Sequence, residues 1–460
     1  MRNPCPRIVI AGASSGVGKT SVTLALIQSL RKKGLKVQPF KVGPDFLDPT
    51  YLSLAAGRAC YNLDSWMSDP SYVKNLFVEK SKDADIAVIE GVMGLFDGAD
   101  ADSSSGSTAE IAKLLDAPVL FVVDAKGMAM SIAPLVKGFA TFEKGVKIGG
   151  VIANRIGSQK HLDWLKASLE SAQLPPLSGG VEKGGFPVLP SRHLGLITAN
   201  REKVNEELLE KLSAGLEKHT DIELILAIAR KAPSMKKTVS SSQTKEKWVR
   251  LGVAMDEAFH FYYKDTLEAF ADEGCEIIEF SLLEDDSLPE SLDALYIGGG
   301  YPEEYAERLS SNAGMLSSIR SFVKAGGALY AECGGLIYLS EGVETLDGKF
   351  HEFAGLIPSR AKMFGRFKSL GYVEAVTLCN SLLGRKGTAL RGHRFHYSEF
   401  LAQPDGNEWS NPYRLKKRRD SQTADEGWFS ENIFATYVHA HLASNKKVIE
   451  SILNNCGVKK

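Results

Sequence analysis

The stretch that most limits what this chain can fold into is GASSGVGKTS at residues 12–21. It lies between RIVIA at 7–11, an apolar run that reads as a buried strand, and VTLALI at 22–27, which opens an amphipathic helix. A glycine-rich turn joining a strand to a helix N-terminus points backbone N–H groups at an anion, and the helix dipole adds to the attraction. Gly12, Ser15, Gly16 and Gly18 shape the expected phosphate grip, with Lys19, Thr20 and Ser21 following. Lys19 is placed to reach the outer phosphates of a nucleotide, and the Thr20 hydroxyl to coordinate Mg2+. One position departs from the usual spacing: Ala13 stands where the first glycine is expected, and Gly12 comes one residue earlier. A glycine-rich surface turn is the bland alternative, but strand, loop and helix occur in the order that ATP binding requires.

Apolar runs alternate with helical segments through the first half. VQPFK at 37–41, DIAVIEG at 85–91, PVLFVVD at 118–124 and IGGVIANR at 148–155 predict a parallel, doubly wound sheet. Ligand chemistry in such sheets gathers at the carboxyl ends of the strands. Lys41, Asp45 and Asp48 fall there, although Gly43-Pro44-Asp45 is also simple turn chemistry. Glu90 ends its strand where a carboxylate completes Mg2+ ligation opposite a phosphate loop. Asn154 ends another and could hydrogen-bond a nucleotide base. The polar segment SSSGSTA at 103–109, containing Ser107 and Thr108, suits a substrate loop or a solvated connection. Residues 174–193, rich in Pro and Gly, read as an irregular insertion.

A chain of 460 residues should hold two domains of roughly 200 residues each. KAPSMKKTVSSSQTKEK at 231–247 lacks apolar periodicity and is expected to be a linker, leaving domains at 1–230 and 248–460. The second domain restarts the strand–helix alternation. In GALYAECGGL at 327–336, Cys333 sits on a sharp strand-to-helix turn, where a helix N-terminus favours the thiolate. Gly334 and either Gly299 or Gly300, from the turn GGGYPE at 298–303, offer backbone N–H groups for an oxyanion. FATYVH at 434–439 delivers His439 as the base. A lone cysteine is more often buried structure; the available histidine favours catalysis. GHRFHYS at 392–398 has HxxH spacing, with no further ligand nearby to make a zinc site. His260, in DEAFHFYY at 256–263, is expected to pack in a core.

The segments 12–21, 41–49, 62–64, 90–98, 106–110 and 150–155 resemble the cobyrinic acid a,c-diamide synthase family, whose first half is similar to dethiobiotin synthetase. The resemblance accounts for Ala13, since the related loop has an extra residue. It implies that Asp45 and Glu90 join Thr20 in holding Mg–ATP, that Asp48 and Asp97 act near the substrate, and that Asn154 contacts adenine. The second half resembles a class I glutamine amidotransferase domain of flavodoxin-like α/β fold, with Cys333 as nucleophile and His439 as its proton partner. The glutamate usually found two residues after that histidine is replaced by His441, so the orienting carboxylate is absent or supplied elsewhere; related cobalamin-pathway amidotransferases also lack it, and the resemblance implies a Cys–His dyad. The implied reaction is ATP- and glutamine-dependent amidation of the a and c acetates of cobyrinic acid in cobalamin biosynthesis. A sister reaction on nickel-sirohydrochlorin would use the same chemistry. A phosphate-loop ATPase switch carrying an inactive amidotransferase domain is a more distant reading.

Charge and cysteines narrow the rest. A formal net charge of −1 gives no overall field for nucleic acid or a membrane surface. Six scattered cysteines without a CxxC pair fit a reducing cytoplasm. The first strand begins too early for a signal peptide, and no apolar run reaches the roughly 20 residues of a membrane span. The expected partners are ATP, glutamine and a corrinoid tetrapyrrole, for a cytoplasmic monomer or homodimer.

Overall fold

A computed structural model describes residues 5–189, 191–192, 195–196, 204–235, 248–417 and 422–456. The chain divides into two compact units, Met1–Ser240 and Ser241–Lys460. Of the expected linker, residues 236–247 lie outside the described residues.

The first unit is built on seven parallel strands: β1 (Arg7–Gly12), β2 (Val37–Val42), β3 (Tyr61–Leu63), β4 (Ile86–Glu90), β5 (Val119–Asp124), β6 (Ile148–Ile156) and β7 (Leu177–Glu182). Their spatial order is β3-β2-β4-β1-β5-β6-β7. β1 is buried along its whole length, as its unbroken apolar run requires when helices cover both faces. The chain leaves β1 toward one edge through β2 and later returns through β5 on the other side. The crevice at the carboxyl end of β1 therefore lies where ligands bind in doubly wound sheets.

β7 corrects the expected insertion at 174–193. Its sequence, LSGGVE, carries two glycines in mid-strand where its neighbours approach closely. A Cβ on Gly179 would lie 2.3 Å from Thr220 Oγ1, and one on Gly180 would lie 2.7 Å from Leu162 Cδ1. Small residues are the condition for this strand to join the sheet.

The second unit has a six-stranded sheet in the order Cys275–Phe280, Val249–Ala254, Ala294–Ile297, Ala328–Glu332, Ile433–Thr436, Trp428–Phe429. All neighbours are parallel except the last pair. A five-stranded antiparallel sheet includes Ser369–Thr377, Ala389–His396 and the short strand His439–Ala440. Its register sets His393 opposite His439. His260 lies half-buried on the strand Phe259–Phe261, its ring edge-on to Phe261 at 4.7 Å.

Candidate active sites

In the first unit, β1 ends at Gly12 and helix α1 (Lys19–Lys32) begins seven positions later, so the phosphate loop spans the carboxyl end of the central strand. Two glycines are required by close approach. Gly18 caps α1 with φ 99°, and a Cβ there would meet Asn154 Nδ2 at 2.4 Å. A Cβ on Gly12 would meet Val17 Cγ2 at 2.5 Å, so glycine at 12 lets the buried Val17 tuck against the loop. Gly16 and Ser15 are exposed at the crest, and Ser21 follows in the first turn of α1. Lys19 is buried and donates from Nζ to the Ser14 carbonyl at 3.1 Å, folded back along the inside of the loop. Burial and the nearby Lys41 charge lower its pKa, against the pull of Glu90, Asp48 and Asp97.

Asn154, the expected adenine contact, lies at the carboxyl end of β6 beside the phosphate loop. Its amide donates to the Val17 carbonyl at 2.8 Å and its oxygen accepts from the Arg155 N–H at 2.9 Å. Arg155 also reaches the Gly16 carbonyl at 3.2 Å. The end of β6 thus braces the phosphate loop, and the Asn154 amide carries a second N–H and a second oxygen lone pair beyond these two bonds.

Three charged side chains meet beside Thr20. The Thr20 hydroxyl donates to Glu90 Oε1 at 2.6 Å. Lys41 Nζ lies 3.1 Å from that same oxygen and 2.5 Å from Asp48 Oδ2, and it also donates to the Gly91 carbonyl. Burial works against the Lys41 charge, but Asp48, Glu90 and Asp45 outweigh it and hold the ammonium protonated. Burial raises Glu90 to about 7, with Asp48 adding to it while Lys41 and Thr20 oppose it. Burial likewise raises Asp45 to about 6. Asp45 Oδ1 already accepts from the Leu47 and Asp48 N–H groups at 2.7 and 3.0 Å, which shapes the entry to helix Asp48–Ala56. Asp97 Oδ2 accepts from the Gly94 N–H at 2.8 Å, and a Cβ on Gly94 would lie 3.1 Å from the Ala13 carbonyl; the 91–98 turn therefore lies against the phosphate loop.

The residues fit Mg2+. Glu90 Oε2 is fully buried with no hydrogen-bond partner among the described residues, an unspent carboxylate oxygen beside the Thr20 hydroxyl. Among those residues no three His, Cys, Asp or Glu side chains form a ready-made cage. Mg2+ does not need one, because it is commonly held by one or two carboxylates together with substrate phosphates.

Ser107 and Thr108, expected near the substrate, lie in the turn and helix that follow the 91–98 segment. Both side chains are buried at 0% exposure. Ser107 caps helix Thr108–Leu114 by accepting from the Glu110 N–H. The Thr108 hydroxyl accepts from the Val92 N–H at 2.9 Å and donates to the Val92 carbonyl at 3.1 Å. Their hydrogen-bonding capacity holds the chain just beyond Glu90 in place.

In the second unit the strand Ala328–Glu332 runs straight into Cys333, which caps helix Gly334–Leu339 with φ 47° and ψ −97°. Such a backbone is strained for a residue with a Cβ and persists only when its surroundings enforce it. Here the Cys333 N–H donates to the Thr436 carbonyl at 2.7 Å and the Gly335 N–H to the Gly298 carbonyl at 3.0 Å. The thiol is carried to the Phe395 carbonyl, 3.7 Å from Sγ. Gly334 opens the helix, where an N–H has no intrahelical acceptor. A Cβ on it would lie 2.9 Å from the Gly300 nitrogen, so the two backbone donors stand together beside the thiol turn. A Cβ on Gly299 would sit 2.4 Å from His439 Cε1, which places the imidazole against the same turn.

His439 is fully buried, and burial alone would lower its pKa. Cys333 and Glu332 outweigh that cost and raise it to about 9. The His393 ring stacks on it at 5.0 Å and 22°. His393 is held neutral by burial and by the His439 charge, and its Nδ1 lies 3.2 Å from the Tyr263 hydroxyl. His396 uses Nδ1 on the Ser398 carbonyl and Nε2 on Arg394, both at 2.8 Å, while stacking on Tyr437. Both of its ring nitrogens are therefore committed within the protein. Glu332, to which the sequence reading gave no role, lies with Oε2 3.7 Å from His439 Nδ1. The available signal was its position: an acid ending a buried strand needs a partner.

Residues 8–192 match the CobQ/CobB/MinD/ParA nucleotide binding domain family, and residues 250–447 match the CobB/CobQ-like glutamine amidotransferase domain family. A protein of Syntrophotalea carbinolica named cobyrinate a,c-diamide synthase is 51% identical, with the match covering 98% of this chain and 99% of that one. The chain belongs to the cobyrinate a,c-diamide synthase family. Members with the same name in Leptospira interrogans and Salmonella typhimurium are 44% and 40% identical, with matches covering 98% and 96% of both chains. Membership makes this a glutamine-dependent carbon–nitrogen ligase that uses ATP, with α/β domains for both halves of the work. The resemblance to that family is thereby upheld over nearly the full length. Among the described residues no helix is long and apolar enough to cross a membrane.

Proposed function

We propose that this protein amidates the a and c acetate carboxylates of cobyrinic acid, using ATP and glutamine, with 1–230 and 248–460 as its two working halves. The observation that carries this reading is the pairing of two constellations on one chain. One is Thr20 and Lys41 converging on Glu90 beside a phosphate loop; the other is Cys333 on a strained turn against His439.

In the second half, Cys333 attacks the side-chain amide carbon of glutamine. The Gly334 and Gly300 N–H groups receive the oxyanion, and His439 gives its proton to the departing ammonia. Water then hydrolyses the thioester to glutamate, with the imidazole taking the proton of the attacking water. In the first half, the phosphate loop and Lys19 hold the triphosphate while Asp48 and Asp97 border the macrocycle's carboxylate. The carboxylate oxygen attacks the terminal phosphorus, giving an acyl phosphate and ADP. Ammonia adds to the acyl carbon and phosphate leaves, so one C–N bond forms for each ATP and glutamine consumed. Thr20 and Glu90, with Asp45 behind them, would hold Mg2+, which when bound neutralises charge on the phosphates. Lys41 keeps the surrounding carboxylates in register. The enzyme would work in the cytoplasm, where ATP and glutamine are supplied, as a monomer or homodimer.

The test offers purified protein, ATP, Mg2+ and glutamine with either cobyrinic acid or nickel-sirohydrochlorin, followed by mass spectrometry. Two successive mass decrements on cobyrinic acid are expected. Turnover of the nickel compound with cobyrinic acid untouched would move the assignment to the sister reaction. No ammonia from glutamine in either case would favour an ATPase switch.

A further inference from the structure

Acid–base triads need a carboxylate on the far nitrogen of the histidine, where it fixes the tautomer and steadies the imidazolium. Two residues after His439, this chain has His441, and His441 is engaged elsewhere. Its Nε2 lies 3.1 Å from Asp265 Oδ2 on helix Lys264–Asp272, with both side chains buried. Its ring also packs on Tyr263 at 5.1 Å.

Glu332 is the carboxylate beside the catalytic imidazole. It is 2% exposed and immediately precedes the nucleophile. Its Oε1 accepts from the Tyr330 hydroxyl at 2.7 Å and the Ala440 N–H at 3.2 Å. Its Oε2 accepts from the Tyr296 hydroxyl at 3.1 Å and faces His439 Nδ1 at 3.7 Å. Burial and the adjacent Glu332 push both phenols' ionisation well above the usual range, so they remain donors. Three fixed donors aim the carboxylate, and its remaining neighbour is the imidazole. A separation of 3.7 Å is longer than a hydrogen bond, but catalytic contacts of this kind commonly tighten only with substrate bound.

We propose that Glu332 is the positioning carboxylate of His439, supplying from the nucleophile's own strand what a triad ordinarily takes from the histidine's strand. The strained turn makes this possible. It sends the Cys333 thiol and the preceding carboxylate to the same imidazole, so acid, nucleophile and base are set by one strand end and one facing residue. The proposal rests on the glutamine-hydrolysing role given to Cys333 and His439.

His439 is faced by Glu332 and Cys333 from the end of one strand, by neutral His393 from the neighbouring strand of its own sheet, and by Phe261 at 6.2 Å. The His441–Asp265 pair lies two residues along the chain. Glu332 is thus the acid whose removal should alter the imidazole's titration. The experiment compares wild type, Glu332→Gln and Glu332→Asp for glutaminase activity, for amide synthesis from free ammonium salts, and for the pH profile of kcat/KM for glutamine. Glu332→Gln should lower glutaminase kcat about 10²-fold, within the range for general acid–base groups, with KM for glutamine nearly unchanged. Ammonia-driven synthesis should persist, and the alkaline limb should move to lower pH. Glu332→Asp, which keeps the charge, should recover part of the rate and return the limb toward its original position. An unchanged glutaminase kcat would overturn the proposal. So would a loss without movement of the alkaline limb, or a loss that Glu332→Asp does not relieve. Should Cys333→Ala retain glutamine-dependent activity, the parent reading fails instead, whatever Glu332 does.

Discussion

At the scale of single residues, the chemistry depends on charges buried with partners. Lys41 is 3% exposed between Asp48 and Glu90, and removing it would leave two crowded carboxylates without their cation. Breaking a buried pair from one side costs about 3–5 kcal/mol. Lys41→Met should therefore lower the denaturation midpoint markedly as well as abolish synthesis, as measured by denaturant unfolding beside the activity assay. His439 makes a pH prediction. Its folded pKa is raised from 6.5 to about 9, so the stability it contributes is fully present below the unfolded value and is lost as pH rises through about 9. Glutaminase activity should fall over the same alkaline limb as the imidazolium that serves ammonia departure disappears. A pH–rate profile flat through that region would exclude this role.

At the scale of elements, the turns around the two sites tolerate little change. Gly299 lies on a short strand opposite Phe261 and leaves no space for a methyl group before His439. Gly299→Ala should push the imidazole from the thiol and reduce glutaminase activity at least tenfold, while ammonia-driven synthesis continues; steady-state kinetics with the two nitrogen sources would measure both. The elements also show how far the sequence could be read. The strand, loop and helix at 12–21 declared themselves because glycine, lysine and threonine each have a local job there. β7 did not, because its glycines answer to Thr220 and Leu162, which are distant in sequence. Ser107 and Thr108 looked like substrate contacts because hydroxyls near a glycine-rich turn suit both a ligand and a helix cap. Both are buried, and their hydroxyls hold a helix start and the Val92 backbone.

At the scale of the whole molecule, two chemistries on one chain should be separable by mutation. Lys19→Ala is expected to abolish ATP-dependent amide formation while leaving glutamine hydrolysis measurable. Cys333→Ala should abolish glutamine hydrolysis while ATP-dependent synthesis continues on supplied ammonium. Coupled ADP and glutamate assays on each variant would measure this division, and simultaneous loss of both activities in either one would contradict it.

What the sequence by itself determined was local. The phosphate loop, the carboxylate ending β4, the cysteine at a strand-to-helix turn and the late histidine each lie within a few residues of the elements that shape them. Short-range periodicity and turn chemistry are sufficient to mark such features. Tertiary structure decided which distant groups meet. It turned Asn154 toward the Val17 carbonyl, closed Thr108 onto Val92, and brought Glu332 to His439 while His441 turned to Asp265. Sheet order and register set those meetings, and they arise from the packing of whole faces, so no single segment of sequence carries them.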